Sequence, residues 1–484
     1  MRLIRPEEPS SHQQTPRRKG ALSRRGLAAG AAALLAAGLV VPAAASAPTA
    51  PGNAAKAAPH NVILLIGDGM GDSEITLARD YTVGAGGRLA LDGLPSTGTY
   101  TTYSVRPDGS PEYVTDSAAA ASSWATGEKT ANGRISTSPR THETLPTILE
   151  LAHAHGYATG SVTTAELTDA TPAALVAHVA DRECQGPADM AKCPGDAAEH
   201  GGAGSIAEQA LTAGADVLLG GGRQRFEQRA LGGPYKGRTV LERSRELGHQ
   251  VVTDAAGLRR ATPGRPVLGL FAPGAVPVEW TGERAAVGGT APQRCVTANP
   301  ARPAGTPTLA EQTRKALGLL QGSSDRGFFL QVEGASIDEQ DHAADPCGQI
   351  GETAAFDRAV KVARDYAAAH PGTLVIATAD HGHASQIVPL DAEPPGRTTT
   401  LVTDEGAHLK VNYGTGAADD TQEHTGTQVR IAAQGPLAER VSGVTDQTGL
   451  FTTLRKSLQL PKPTRAVGPG NIHLAKSSAV VDNE

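Results

Sequence analysis

The sequence predicts an α/β fold built on an open sheet. Apolar runs such as VILLI at residues 62–66, FFLQV and TLVIATA are typical of strands buried on both faces of a parallel sheet. Each run is followed within two residues by a carboxylate side chain. Because ligands of open α/β sheets gather beyond the carboxyl ends of the strands, we expect these side chains to converge in one site.

The first strand end carries Asp68, which lies between two glycines in the segment NVILLIGDGMG. A dinucleotide-binding loop is the alternative interpretation. It is weak, because the third glycine is misplaced and the carboxylate would repel a pyrophosphate unless metal ions intervened. We therefore interpret Asp68 as a metal ligand.

The segment VEGASIDEQDHA, which overlaps the end of FFLQV, is the most informative stretch of the chain. It holds Glu333, Asp338 and His342. If a helix follows the strand, Asp338 and His342 stand four positions apart on one face, where both can bind the same ion. Such a pattern in isolation would indicate only a solvated acidic helix start. Here three other segments carry ligand-type residues as well, which favours a metal site.

Two later segments supply more imidazoles. TLVIATADHGH ends in Asp380, His381 and His383, and EHTG contributes His424. Imidazole nitrogens beside hard oxygens suit zinc, whereas carboxylates with a hydroxyl and water suit magnesium. The sequence therefore predicts more than one kind of metal ion.

Ser117 is the candidate nucleophile. It begins the small-residue run SAAAASSWATG after Asp116, a run that predicts a closely packed helix. At the N-terminus of that helix, backbone N–H groups and the helix dipole would favour a bound anion. A serine that only caps the helix is the alternative. No G-x-S-x-G motif surrounds Ser117, so a metal ion is the expected activator of its hydroxyl.

Together these motifs resemble the bacterial alkaline phosphatases, a family of secreted phosphomonoesterases with two zinc ions and one magnesium ion. The resemblance covers about residues 61–458 and is carried, in the family's order, by IGDGMG, TDSAAAA, GYATGSVTTAELTDATPAALVAHVADR, VEGASIDEQDHAADPCGQIGET, TADHGHAS and EHTGTQV. It implies a three-layer α/β/α sandwich with a large, mostly parallel central sheet and inserted loops. It also implies hydrolysis of phosphate monoesters through a phosphoserine, with an alkaline optimum.

The resemblance assigns roles residue by residue. Ser117 matches the nucleophile and Arg182 matches an arginine that clamps phosphate, for which a planar guanidinium is suited. His383 matches a histidine that orients a zinc-binding carboxylate and is not itself a ligand. The implied metal ligands are Asp338, His342 and His424 for the first zinc ion, Asp68, Asp380 and His381 for the second, and Asp169, Thr171 and Glu333, with Asp68 as a bridge, for magnesium.

One position departs from the family. Glu339 follows Asp338 where the enterobacterial enzymes carry lysine and other members carry histidine or tryptophan. That lysine reaches phosphate through water, so a carboxylate at this position reverses the sign of the interaction. A solvent-facing, inert Glu339 and a Glu339 that joins the magnesium site are the alternatives.

The N-terminus has the three-part layout of an export signal. Basic residues up to Arg25 precede the apolar stretch LAAGAAALLAAGLVV and the small-residue run AAASA. SRRGL resembles a twin-arginine signal. A membrane anchor is the alternative, but alanine and glycine dilute the apolar stretch. We predict cleavage near Ala45 or Ala47 and a secreted protein without a membrane segment.

Charge and cysteine content agree with a secreted enzyme. Without residues 1–47 the chain has 37 basic and 48 acidic residues, and this formal charge of −11 is unsuited to nonspecific nucleic-acid binding. Four cysteines fit two disulfides, for which the sequence allows three pairings. The resemblance implies Cys184–Cys193, which also closes a short local loop, and Cys295–Cys347. Zinc binding by the cysteines is the alternative.

The 484 residues divide into an export signal (1–47), a Pro/Ala linker (48–60), one catalytic domain (61–460) and a tail (461–484). We expect residues 223–300, rich in Gly, Pro and Arg, to form an outer lobe. PTLAEQTRKALGLL has helical periodicity and predicts a packing helix. The resemblance leaves a homodimer open.

Three other functions are alternatives. A sulfatase or phosphodiesterase would share the metal ligands, but Ser117 is followed by alanines instead of the sulfatase x-P-x-R, and Arg182 favours a terminal phosphate. A narrower phosphatase of antibiotic biosynthesis, of the streptomycin-6-phosphate type, would show the same metal motifs. A non-enzymatic phosphate- or metal-binding protein would lack a ligand or the nucleophile, and all are present.

Overall fold

The computed structural model describes residues 60–417 and 421–463 of the protein. The predicted export signal, nearly all of the predicted linker and most of the predicted tail lie outside the described residues. The domain bounds therefore stay predictions.

The described residues alternate between strands and helices. The strands are β1 (Asn61–Gly67), β2 (Ser96–Thr101), β3 (Ser104–Val105), β4 (Pro111–Glu112), β5 (Ala158–Glu166), β6 (Val217–Gly221), β7 (Gln250–Val252), β8 (Val267–Leu270), β9 (Ala286–Val287), β10 (Phe328–Gly334), β11 (Thr373–Ala379), β12 (Ser385–Val388), β13 (Arg397–Val402), β14 (His408–Tyr413), β15 (Val429–Gln434) and β16 (Gly443–Asp446). The helices are α1 (Asp72–Thr82), α2 (Ser117–Thr126), α3 (Ile148–Ala154), α4 (Ala170–Val176), α5 (Ile206–Ala210), α6 (Arg223–Phe226), α7 (Val240–Glu246), α8 (Ala255–Arg260), α9 (Leu309–Leu320), α10 (Ser336–His342), α11 (Pro346–Ala369) and α12 (Gln447–Ser457).

Ten strands form the central sheet, in the order β16-β2-β15-β11-β1-β10-β5-β6-β8-β7. Every neighbouring pair is parallel except those of β15, which runs antiparallel to β11 and β2. The mostly parallel α/β sheet predicted from the sequence is thus confirmed.

The central strands are buried throughout. Every residue of β1, β10 and β11 is buried, as the uninterrupted apolar runs predicted. One group of helices, α9 and α11, packs on these strands, and a second group, α2, α3, α4 and α12, packs together and against the same sheet. The predicted helix in PTLAEQTRKALGLL is α9, which buries its leucines in the core.

A smaller sheet, in the order β12-β14-β13-β9, adjoins the end of α11 that carries Cys347. Two disulfides, Cys184–Cys193 and Cys295–Cys347, are formed, and they leave no free cysteine in the described residues. Both pairings agree with the expected ones. Zinc binding by the cysteines is therefore excluded.

The expectation of a separate outer lobe at residues 223–300 is wrong in part. β8 pairs with β6, and β7 pairs with β8, so these two strands extend the central sheet to its edge. These strands are only three and four residues long. Their apolar pattern is therefore too short to be recognised in a segment rich in Gly, Pro and Arg.

None of the helices in the described residues is long and apolar enough to cross a membrane.

Candidate functional site

Four neighbouring strands deliver the predicted ligands to one edge of the sheet. Asp68 and Asp380 directly follow β1 and β11, and Glu333 lies near the end of β10. Asp169 caps α4 just beyond β5, accepting a hydrogen bond from Ala170 N. Because β11, β1, β10 and β5 are adjacent and parallel, their carboxyl ends bring these side chains together.

The first cluster forms around Asp338 on α10. Its Oδ2 lies 3.2 Å from His342 Nε2, one helical turn away, and its Oδ1 lies 3.2 Å from His424 Nε2. The two imidazole Nε2 atoms are 3.1 Å apart. The D-x-x-x-H spacing thus puts both side chains on one helical face, as predicted, and a distant loop supplies the third.

His383 also reaches this cluster, with Nε2 3.1 Å from Asp338 Oδ1. Its Nδ1 accepts a hydrogen bond from Ala384 N at 2.8 Å, so the ring proton of the neutral imidazole belongs on Nε2. Burial lowers the pKa of His383, which favours the neutral ring. A proton on Nε2 leaves no ring lone pair for a metal ion and faces the Asp338 carboxylate.

The second cluster joins Asp68, Asp380 and His381, all buried. His381 Nε2 lies 3.2 Å from Asp380 Oδ2 and 3.5 Å from Asp68 Oδ1. Ser117 Oγ lies 3.1 Å from the same imidazole nitrogen and 3.3 Å from the same Asp68 oxygen. The candidate nucleophile is therefore part of the second cluster.

The spacing of these atoms fits tetrahedral metal ions. Two ligand atoms bound to one tetrahedral zinc ion at about 2.0–2.1 Å lie roughly 3.3 Å apart. The distances in both clusters fall between 3.1 and 3.5 Å. Asp380 Oδ2 is buried without a hydrogen-bond partner in the described residues, as expected for an atom that faces an ion.

The ring orientation of the histidines fits as well. His342 Nδ1 contacts Gln422 O and His424 Nδ1 lies 3.1 Å from Thr115 O. A carbonyl oxygen can only accept, so each Nδ1 carries a proton, and in the neutral ring each Nε2 turns its lone pair toward the cluster. This is the usual arrangement of metal-binding histidines.

Ser117 begins helix α2, whose residues are all buried and mostly small. Asp116 caps the helix by accepting a hydrogen bond from Ala119 N at 2.9 Å. The small side chains let α2 pack closely against α4 and α12, and this packing fixes the position of Ser117. The predicted helix, with its serine at the N-terminus, is confirmed.

Arg182 lies between two carboxylates. Nη2 is 2.7 Å from Asp169 Oδ1 and Nη1 is 3.5 Å from Asp116 Oδ2. Both ion pairs hold the guanidinium beside the N-terminus of α2. Sequence reasoning missed this role of Asp116. An acidic residue directly before a small-residue helix is the signal that could have indicated it.

The predicted magnesium ligands, Asp169, Thr171 and Glu333, do not form a third cluster of this kind. In the described residues, the two clusters above are the groups in which three or more carboxylate or imidazole atoms converge within 4.8 Å. Thr171 Oγ1 is buried without a hydrogen-bond partner in that part of the chain, and Glu333 Oε2 accepts one from Thr163 Oγ1. Oxygen-only donors of this kind suit magnesium better than zinc.

The electrostatics follow from crowded, buried carboxylates. Burial, followed by the charges of Asp380 and Asp338, raises the pKa of Asp68 well above its usual value. Burial raises the pKa of Glu333 to about 8, because its effect outweighs the hydrogen bond from Thr163 and the charge of Asp169 adds to it. Cations at this site would relieve the repulsion between these groups.

Asp338 behaves in the opposite way. Burial alone would raise its pKa, but the imidazoles of His342, His383 and His424 beside the carboxylate lower it well below the usual value. Burial, and then the charge of His424, lowers the pKa of His381 well below its usual value. An ionised carboxylate beside a neutral imidazole is the state in which both can bind a metal ion.

Comparison with known proteins is consistent across sequence and structure. A model of the alkaline phosphatase family matches residues 59–419 and 397–460. The chain is 61% identical over 443 residues to the streptomycin-6-phosphate phosphatase of Streptomyces griseus, covering 90% of this chain and 98% of that protein. It is 54% identical over 408 residues to the alkaline phosphatase of Escherichia coli, covering 83% and 86%. The structure of the alkaline phosphatase from the Antarctic bacterium TAB5 matches with a TM-score of 0.63 at 25% identity, covering 84% and 99%.

Proposed function

The chain belongs to the alkaline phosphatase family and is a phosphoric monoester hydrolase, and from this premise we propose how its site works. Ser117 is the nucleophile, Arg182 holds the phosphoryl group, and hydrolysis passes through a phosphoserine. The observation that carries the proposal is the place of Ser117 Oγ, 3.1 Å from His381 Nε2 and 3.3 Å from Asp68 Oδ1 in the second cluster.

We propose that the site takes two zinc ions and one magnesium ion. Asp338, His342 and His424 would hold the first zinc ion, Asp68, Asp380 and His381 the second, and Asp169, Thr171 and Glu333 the magnesium ion, with Asp68 between the last two sites. The ions would acidify the serine hydroxyl and neutralise charge on the phosphoryl group. The distances within the two histidine-containing clusters support this assignment.

The protein groups then have separate tasks. Ser117 Oγ releases its proton to solvent and attacks phosphorus while the ester bond breaks, and the alcohol leaves with its oxygen, which takes up a proton. Water then attacks phosphorus and the bond to Ser117 Oγ breaks, so that Oγ takes up a proton again and inorganic phosphate is released. Arg182, with five fixed N–H donors, can bind two phosphoryl oxygens at once. Asp116 and Asp169 hold its guanidinium in place before substrate arrives.

The test joins metal content to rates. Purified mature protein should contain two zinc ions and one magnesium ion per chain, and it should hydrolyse p-nitrophenyl phosphate much faster than a phosphodiester or a sulfate ester. A preparation that is active without zinc would contradict the metal assignment. Faster cleavage of the diester or the sulfate ester would contradict the proposed substrate class.

A narrower substrate range is the second candidate. It is favoured by the higher identity and wider coverage of the match to the streptomycin-6-phosphate phosphatase than of the match to the E. coli alkaline phosphatase. Rates on streptomycin 6-phosphate and on p-nitrophenyl phosphate, measured side by side, separate the two. A strong preference for the aminoglycoside phosphate would establish the narrower function.

We also propose that the protein is secreted through its twin-arginine segment. Basic residues, an apolar stretch and small residues before Ala47 support this. Replacing Arg24 and Arg25 together by lysine should retain the full-length chain inside the cell, and N-terminal sequencing of secreted wild type should begin near residue 46 or 48. A homodimer stays a prediction, which light scattering can test.

A further inference from the structure

The main-chain oxygen of Asp380 lies beyond the end of the central sheet. β11 ends at Ala379, and its ladders to β1 and β15 do not extend to Asp380. A buried carbonyl outside a ladder needs another donor. Gln447 supplies it, with Nε2 2.6 Å from Asp380 O, and both residues are fully buried.

The amide of Gln447 is fixed in this orientation from its other side. Lys129 Nζ lies 3.3 Å from Gln447 Oε1 and 3.2 Å from Asp446 Oδ2. Because an ammonium group can only donate, Oε1 must face Lys129, and the NH2 group must then face Asp380. Asp446 is itself held as the cap of α12, where it accepts a hydrogen bond from Thr448 N.

The Asp380 carboxylate depends on the same stretch of backbone. Its Oδ1 accepts hydrogen bonds from Gly69 N and His381 N, both at 2.9 Å. These two bonds leave Oδ2 directed at His381 Nε2, 3.2 Å away. A rotation of the peptide unit after Asp380 would turn the His381 N–H away and release the carboxylate from this position.

We propose that Gln447 is a positioning residue for the second metal cluster: by holding the main-chain oxygen of Asp380, it keeps the carboxylate and the adjacent His381 oriented toward their ion. This inference rests on the proposed function. It assigns to α12, which carries none of the proposed metal ligands, control over the affinity of one metal site.

An ordinary structural hydrogen bond is the alternative. Its loss would leave a buried carbonyl unpaired and lower the stability of the protein, but it would not selectively lower the zinc affinity of one cluster. Partners that orient metal ligands typically change metal affinity by about 10- to 100-fold when they are removed. The two explanations therefore differ in a quantity that can be measured without turnover.

The test replaces Gln447 by methionine, which keeps the length of the side chain and removes the donor. Zinc affinity of each site is measured by competition with a chelator, alongside thermal unfolding of the metal-free protein. We expect the affinity of one zinc site to fall about 10- to 100-fold and the other to stay near wild type. Excess zinc should restore kcat, with KM for p-nitrophenyl phosphate unchanged.

Two further variants make the result specific. Gln447→Glu keeps an acceptor for Lys129 but has no donor for Asp380 when ionised, so it should lose zinc as the methionine variant does. Phe451→Leu is the control on the same helix, because the Phe451 ring packs near Gly127 of the α2 C-cap and carries no group that could hold the Asp380 carbonyl. It should lower the melting temperature and leave both zinc affinities unchanged.

Wild-type affinities in Gln447→Met or in Gln447→Glu would overturn the inference, and so would an equal loss of zinc in Phe451→Leu. Wild-type protein that does not bind two zinc ions would instead overturn the proposed function. The metal content of the wild type therefore separates the two failures.

Discussion

Arg182 Nη2 lies 2.7 Å from Asp169 Oδ1, so the residue proposed to clamp phosphate is held by a residue proposed to bind magnesium. Burial would lower the pKa of Arg182, but the charges of Asp169 and Asp116 raise it, so the guanidinium is charged at every accessible pH. The ion pair keeps the guanidinium in position and leaves its other donors for substrate. The proposed phosphate clamp and the proposed magnesium site are thereby joined through one contact.

Arg182→Ala should weaken phosphate binding more than it disturbs metal content. Removing a hydrogen bond to a charged ligand costs about 1.5–3 kcal/mol, which corresponds to a roughly 10- to 100-fold higher inhibition constant for inorganic phosphate. Arg225→Ala is the control, because Arg225 forms ion pairs with Glu166 and Asp189 and belongs to neither cluster. Unchanged inhibition by phosphate in Arg182→Ala would give the arginine another role.

Ser117→Ala should keep both zinc ions and lose the phosphoserine. The hydroxyl is one of several groups in the second cluster but the sole covalent acceptor, so metal content should stay near wild type while kcat falls by several orders of magnitude. Trapping labelled phosphate at low pH should mark Ser117 in the wild type. Ser123→Ala, on the same helix, is the control and should be labelled normally. A label on another residue would reject the assignment.

Much of this site could be predicted from the sequence, because parallel strands buried on both faces appear as continuous apolar runs. The apolar runs before Asp68 and Asp380 predicted two strand ends, and the D-x-x-x-H pattern placed Asp338 with His342. Arg182, by contrast, came only from the family resemblance, since nothing in its local sequence indicates a ligand.

Contacts between distant segments could not be predicted from the sequence. Gln447 is separated from Asp380 by 67 positions, and no periodicity relates an amide on one element to a carbonyl on another. The short strands β7 and β8 were not predicted from the sequence, for a different reason. Three or four residues carry too little alternation to be distinguished from a loop rich in glycine and proline.

Removing the metal ions should destabilise the protein. Each ion that binds only the folded chain adds about 2.7 kcal/mol when it is present at a hundredfold its dissociation constant. Chelator treatment should therefore lower the melting temperature by several degrees, and zinc should restore it. Asp338→Asn is the matched variant, because it weakens the first cluster and should recover less on zinc addition. Equal melting temperatures with and without chelator would contradict metal-linked stability.

The ion pair between His178 and Glu150 should make stability depend on pH. His178 Nε2 lies 2.9 Å from Glu150 Oε1, and Nδ1 lies 2.9 Å from Ser136 O, so both ring nitrogens can donate. Burial would lower the pKa of His178, but the hydrogen bond and charge of Glu150 raise it. Burial would raise the pKa of Glu150, but the hydrogen bond and charge of His178 lower it.

The signs define a pH window. The histidine's contribution is complete below its unfolded pKa of about 6.5 and is lost as pH rises through the raised folded value, while that of Glu150 is lost as pH falls below about 4.3. His178→Gln should therefore lower the free energy of unfolding by about 1.5 kcal/mol near pH 5.5 and by progressively less at alkaline pH. This value is the lower end of the roughly 1.5–3 kcal/mol expected for a hydrogen bond to a charged group, because Glu150 is partly exposed. A double-mutant cycle with Glu150→Gln isolates the pair. A coupling energy that is independent of pH would contradict a charged pair.

Glu339→Lys should bind inorganic phosphate at least several-fold more tightly. Glu339 is exposed on α10 next to Asp338. Partial desolvation, followed by the charges of Asp338 and Asp169, raises its pKa, while the charge of Arg182 lowers it. Two unit charges about 4 Å apart interact by roughly 1 kcal/mol in water and roughly 4 kcal/mol at an effective dielectric of 20, so reversing the sign should be measurable. Where product release limits turnover, kcat should fall. Glu339→Gln, which only removes the charge, should lie between wild type and the lysine variant. An equal or higher phosphate inhibition constant in Glu339→Lys, with unchanged metal content, would show that this carboxylate does not act on phosphate through its charge.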